Sequence, residues 1–151
     1  MNQIDDRKSW MSLLAKAPAI RLTALWAAFD AKPAFDWLRA PEVGGAMVRG
    51  RMGGTGGAFN LGEMTVTRCS LRLTDGAENG VIGHAYVQGR DKTKAEIAAL
   101  VDALMQTPSA NAVKSAVLEP LLTEGKAAKT DRAAKAAATK VEFFTMVRGE
   151  D

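Results

Sequence analysis

Between Gly62 and Thr74 the sequence reads GEMTVTRCSLRLT, and this alternation constrains the chain more than any other stretch. It is rich in Thr and other strand formers, and successive side chains of a strand point to opposite faces. Thr65, Thr67, Cys69, Leu71 and Leu73 therefore share one face, and Met64, Val66, Arg68, Ser70 and Arg72 share the other. The turn-rich DGAENG follows, and VIGHAYVQG reads as a further strand.

At Gly89 the period changes to that of a helix. RDKTKAEIAALVDALMQ offers Asp91 as a cap, places Ile97, Leu100, Val101 and Leu104 on one face, and is stopped by Pro108. Ahead of the strands, DDRKSWMSLLAKAP carries Trp10, Leu13, Leu14 and Ala17 at helical spacing behind the cap candidates Asp5 and Asp6. Pro18 interrupts that pattern, and Leu22, Leu25, Trp26 and Phe29 repeat it in a second helix. Between helices and strands, Pro41 and the pair Gly44 and Gly45 break the apolar stretches, which predicts two short strands over residues 35–39 and 46–51.

Beyond Pro108 the reading is less regular. Val113 and Val117 suit a helix whose length Pro120 limits. TEGKAAKTDRAAKAAATK has high helix propensity but no large apolar side chain before Val141, so such a helix needs a surface to lean on. VEFFTMV, residues 141–147, is apolar enough to require burial, in the chain's own sheet or against another chain. Helices, then strands, then helices and a last apolar strand make an α+β fold with a central, mostly antiparallel sheet. A single domain over residues 1–151 is expected, since no domain-sized linker interrupts the chain.

The composition excludes several functions. Twenty Lys and Arg against 17 Asp and Glu give a net charge of +3, too weak a bias for a dedicated nucleic-acid binder. The one cysteine, Cys69, permits no intrachain disulfide. With the one histidine, His84, it makes no metal-ligand spacing. The opening MNQIDDRKSW lacks the apolar core of a secretory signal, and no apolar run is long enough to span a membrane, so a soluble cytoplasmic protein is expected.

The stretch RMGGTGGAFN, residues 51–60, is the one that invites a nucleotide. It is not a P-loop, because no Lys-Ser or Lys-Thr follows Gly56 or Gly57. It is not a dinucleotide fingerprint either, because Phe59 stands where the third glycine belongs. Two readings stay open. Its glycines serve a plain turn, or Arg51, Gly53, Gly54, Thr55 and Gly56, helped by Arg68, Arg72 and Arg90, contact an anion or a partner. Arg90 likewise is either a solvated charge beside the cap Asp91 or an anion contact at a helix N-terminus. His84 shares a strand face with Ile82 and Tyr86, as a packed or half-buried side chain and not a base, and Cys69 is a small core residue. No nucleophile–base pair emerges, so no catalytic residue is assigned.

Taken together, RMGGTG, TRCSLRLTDG, YVQGRDK, ALVDALMQ and KVEFFTMVRG, in that order, resemble the PhnG family, a subunit of the bacterial carbon–phosphorus lyase core complex. The likeness runs from Trp10 to Gly149, and the connection DGAENGVIG is a few residues longer than is usual in the family. The resemblance implies a role in phosphonate catabolism beside PhnH, PhnI, PhnJ and PhnL. With PhnH, PhnI and PhnL such a subunit supports transfer of the ribose triphosphate of ATP to methylphosphonate. Adenine leaves, and the product is α-D-ribose 1-methylphosphonate 5-triphosphate. The iron–sulfur cluster and S-adenosylmethionine of the later C–P cleavage belong to PhnJ, and no cofactor is expected on this chain. Val141, Phe143, Phe144, Met146 and Arg148 are the expected partner interface, and a homodimer is the alternative when partners are absent.

Overall fold

The computed structural model describes residue 4 and residues 6–141. Two helices open it, α1 (Arg7–Lys16) and α2 (Ala19–Ala28). Asp6 caps α1, its carboxylate accepting from the Ser9 N–H at 2.9 Å. Three strands follow, β1 (Phe35–Arg51), β2 (Ala58–Leu73) and β3 (Ile82–Gln88), antiparallel and in the order β1-β2-β3. The helices α3 (Lys92–Leu104), α4 (Ala110–Val113) and α5 (Glu119–Ala138) complete an α+β architecture.

The core forms where α3 lies on the sheet. Thr67, Cys69, Leu71 and Leu73 of β2 and Ala85 and Val87 of β3 are all buried, as the alternation requires. Asp91 caps α3 by accepting from the Lys94 N–H at 2.8 Å. Ile97, Leu100, Val101 and Leu104 are buried on the expected face, but so are Ala95, Ala98, Ala99 and Ala103, because α1 and α2 cover the other side of α3. The small residues permit a close approach to the sheet. A Cβ at Gly83 of β3 would stand 2.0 Å from the Ala99 carbonyl oxygen, so the α3 backbone rests directly on the strand there.

One buried carboxylate ties these layers together. Asp102 is fully buried on α3, and its oxygens accept from Arg7 Nε (3.0 Å), Arg7 Nη2 (2.7 Å), Trp10 Nε1 (2.9 Å) and the His84 N–H (2.8 Å). Helices α1 and α3 and strand β3 thus share one set of charge-assisted bonds. Bonding to Asp102 raises the Arg7 guanidinium further above its already high pKa. Lys94, also buried, donates through Nζ to the Ala15 carbonyl at 2.9 Å, closing the end of α1, and burial pushes its pKa down.

Two expectations need correction. Residues 35–39 and 46–51 are not two strands but parts of the single 17-residue β1. Register shifts between Trp37 and Arg39 and between Arg39 and Glu42 absorb the irregular stretch, and Pro41, with no N–H to donate, fits an edge strand. Pro120 does not end the helical run. A π turn over Lys114–Leu118 precedes it and places it in the first turn of α5, where the missing N–H costs nothing. From Thr123 onward the alanine-rich part of α5 is exposed on every side, so the surface it is expected to lean on is not found among the described residues. The predicted last strand over residues 141–147 lies, apart from Val141, outside the described residues.

Candidate functional site

Where β3 ends, the β1–β2 hairpin does not. Val66 pairs with Gln88, the last residue of β3, and Gly89 turns the chain away with a φ of +89°, donating its N–H to the Thr65 carbonyl. From Gly45 opposite Thr65 to Arg51 opposite Ala58, β1 and β2 continue as a two-stranded ribbon among the described residues. Its seven β1 residues reach about 23 Å past the body. The tip is the glycine stretch, a 3-10 turn over Met52–Gly54 in which Gly53 (φ +60°) and Gly54 (φ +82°) take left-handed conformations.

The ribbon is amphipathic. Ala46 faces Met64 and Gly50 faces Phe59, with Val48 between them on β1, so one face is apolar from end to end. The Phe59 ring covers Gly50, where an added Cβ would meet it at 3.7 Å. The opposite face carries Met47 and Glu63, then Arg49 and Asn60, then Arg51. A register shift between Val48 and Arg49 leaves Leu61 as the extra residue on β2, 66 % exposed. With Phe59 and Met64 also exposed, no layer among the described residues packs on this apolar face.

The expected anion contacts are dispersed. Arg51, Gly53, Gly54, Thr55 and Gly56 sit together at the tip, where Arg51 Nη1 donates to the Gly56 carbonyl at 3.1 Å and braces the turn. Arg68 is ten residues further along β2, about 33 Å away, on the outer face of the body sheet. Its Nε donates to Glu42 at 2.6 Å. Arg72 lies four residues beyond Arg68 on the same face, and Arg90 follows the end of β3. Of the expected interface residues only Val141 is described, and it is exposed; Phe143, Phe144, Met146 and Arg148 lie outside the described residues.

His84 is not packed or half-buried but exposed on the outer sheet face, with its Nδ1 2.9 Å from Ser70 Oγ. No carboxylate among the described residues orients the ring, and the adjoining cavity of about 10 Å³ is smaller than a substrate. Cys69 is buried, its Sγ donating to the Ala95 carbonyl at 3.2 Å, and burial, with the Glu96 charge second, pushes its thiol up to about 12. A thiol so placed stays protonated and inert at neutral pH. Among the described residues no group of three or more His, Cys, Asp and Glu is placed to hold a metal, and no helix is long and apolar enough to cross a membrane.

The sequence profile described as "Phosphonate metabolism protein PhnG" matches residues 5–149. The chain belongs to the PhnG family. It is similar to the "Alpha-D-ribose 1-methylphosphonate 5-triphosphate synthase subunit PhnG" of Rhizobium meliloti (strain 1021), with 43 % identity over 148 residues, 98 % of this chain and 92 % of that one. The likeness of this PhnG-family chain to its relative thus spans body, ribbon and α5 alike.

Sequence reasoning missed two arrangements. One is the Asp102 cluster, whose members are 95 residues apart for Arg7 and 92 for Trp10, with no local signal. The other is the ribbon, whose signal was present: the AMVRG and AFNLGEM stretches alternate on both sides of the glycine turn. A second surface lies between α1 and α5, a groove of about 850 Å³ with Leu13, Ala17 and Leu121 among its apolar residues and Lys16, Lys129 and Arg132 among its basic ones.

Proposed function

We propose that the chain is an accessory subunit of an α-D-ribose 1-methylphosphonate 5-triphosphate synthase within the carbon–phosphorus lyase system. It supports, without catalysing, the transfer of ribose triphosphate from ATP to methylphosphonate. The observation that carries the proposal is the ribbon. A two-stranded hairpin with one uncovered apolar face is marginal by itself in water, and no described residues of the chain form a layer over it. A partner subunit supplies that layer. The name of the Rhizobium meliloti relative supports the same reading, since that protein is called a synthase subunit. On this proposal the partners are PhnH, PhnI and PhnJ of the core complex together with PhnL, and the setting is the cytoplasm. The chain binds no cofactor of its own; iron–sulfur and S-adenosylmethionine chemistry stays with PhnJ.

The test is reconstitution. Adenine release from ATP and methylphosphonate is measured with the partner subunits, with and without this chain. Loss of activity on omission and recovery on addition are expected, and undiminished activity without the chain overturns the proposal.

A second reading is favoured by Arg49 and Arg51, which stand on one ribbon face beside the glycine turn. In it the tip enters a partner's active site and contacts a phosphoryl group. Arg51→Ala in an assembled complex separates the two. Loss of one charge-assisted phosphate contact costs about 1.5–3 kcal/mol, a tenfold to hundredfold drop in rate. A purely supporting role leaves the rate nearly unchanged.

A further inference from the structure

The ribbon has edges as well as faces, and one of them is unguarded. Among the described residues strand β1 is an edge of the sheet along its whole length, so no described strand pairs with the backbone groups on its outer side. Exposed edges invite pairing, and proteins blunt them with proline, lysine, bulges or short length. The first half of β1 is blunted by Pro41 and by two register shifts. The free edge of β2 in the ribbon is blunted by the bulge at Leu61. Residues 43–51 of β1 contain neither proline nor lysine, and the register runs unshifted from Glu42 to Val48.

We infer that an extended strand of a partner subunit adds to the edge of β1 along residues 43–51, turning the two-stranded ribbon into part of a sheet shared between chains. This rests on the docking role of the ribbon proposed above and specifies its form. The two faces set the chemistry of the incoming strand. Its residues beside Ala46, Val48 and Gly50 are apolar, extending the apolar face. Those beside Arg49 and Arg51 are acidic, since Arg49 has no ion pair among the described residues and Arg51 spends only one bond on the Gly56 carbonyl. The same arginines disfavour a second copy of this chain. Antiparallel pairing of two β1 edges over residues 43–51, about a two-fold axis at Met47, sets Arg49 beside Gly45 and Arg51 beside Val43 of the other copy, and that stretch holds no carboxylate to pair with them.

Amide hydrogen exchange over residues 43–51 tests this, comparing the purified chain with the co-purified complex. N–H groups alternate between the two sides of a strand, so about half of these amides are unpaired in the free chain and exchange fast. In the complex those amides are expected to slow at least tenfold. If they exchange in the complex as they do in the free chain, while Val48→Asp still abolishes assembly, edge pairing is wrong and docking by the apolar face alone stands. If neither exchange nor Val48→Asp registers any effect of the partners, the docking role itself fails. Protection already present in the chain alone, and lost on dilution, makes the occupant a second copy and overturns the assignment to a partner subunit.

Discussion

Removing the Arg7 side chain is the most informative single perturbation of the body. Asp102 is fully buried, and two of its four hydrogen bonds, at 3.0 and 2.7 Å, come from the one guanidinium that neutralises it. Arg7→Ala leaves a buried carboxylate with only two neutral donors, Trp10 Nε1 and the His84 N–H. Breaking a buried ion pair in this way costs about 3–5 kcal/mol. Asp102→Ala has a different cost. The Arg7 side chain is 42 % exposed and turns to water, while the two neutral donors are stranded at about 1–3 kcal/mol each. The double variant carries no buried charge, so its loss is expected to fall short of the sum of the single losses by about 1–3 kcal/mol. For a chain of this size Arg7→Ala lowers Tm by about 6–20 °C, at about 2–4 °C per kcal/mol. Urea unfolding of the four proteins, followed by tryptophan fluorescence, measures the whole cycle. An Arg7→Ala protein within about 1 kcal/mol of the parent, or strict additivity in the double variant, refutes the reasoning.

Three further outcomes are expected. Gly83→Ala drives a methyl group into the Ala99 carbonyl and is expected to destabilise by about 1–3 kcal/mol or more, read as a lowered urea midpoint; a neutral effect means α3 does not rest on β3 as described. The Cys69 thiol is held up to about 12 against an ordinary 9.0, so the native state keeps its proton while the unfolded thiol ionises. Its contribution is intact below pH 9 and is lost as pH rises from about 9 toward 12, so the parent should lose more stability than Cys69→Ala between pH 8 and 10.5, and parallel losses contradict this. His84→Ala is expected to leave adenine release by the reconstituted synthase within about twofold of the parent; a drop of a hundredfold or more makes the Ser70–His84 pair part of the chemistry.

What the sequence made legible follows from local physics. The faces of β2, the cap at Asp91 and the apolar stripe of α3 depend on residues close in sequence, and each is found where the pattern puts it. Proline and glycine were over-read in two places. At Pro41 an edge strand with bulges tolerates what a central strand would not, and at Pro120 a π turn shifts the proline into a first turn, and neither context is visible from the neighbouring residues. The candidate site was legible in part. The glycine turn is real, but Arg51 and Arg68 are separated by most of the length of β2, and only knowledge that β1 and β2 form one long hairpin reveals that they belong to different ends. The Asp102 cluster joins residues across nearly two-thirds of the chain, beyond any periodicity.

The central claim is that the ribbon docks this chain onto a partner subunit. Its most direct test is co-expression with PhnH, PhnI and PhnJ of the same organism and affinity purification through this chain. The intact chain is compared with one in which Ala46, Val48, Phe59 and Met64 are replaced by serine. The account predicts a stoichiometric complex with the intact chain, and a folded chain recovered alone when the apolar face is gone. A stoichiometric complex retained by the four-serine chain, or no complex with either, contradicts it.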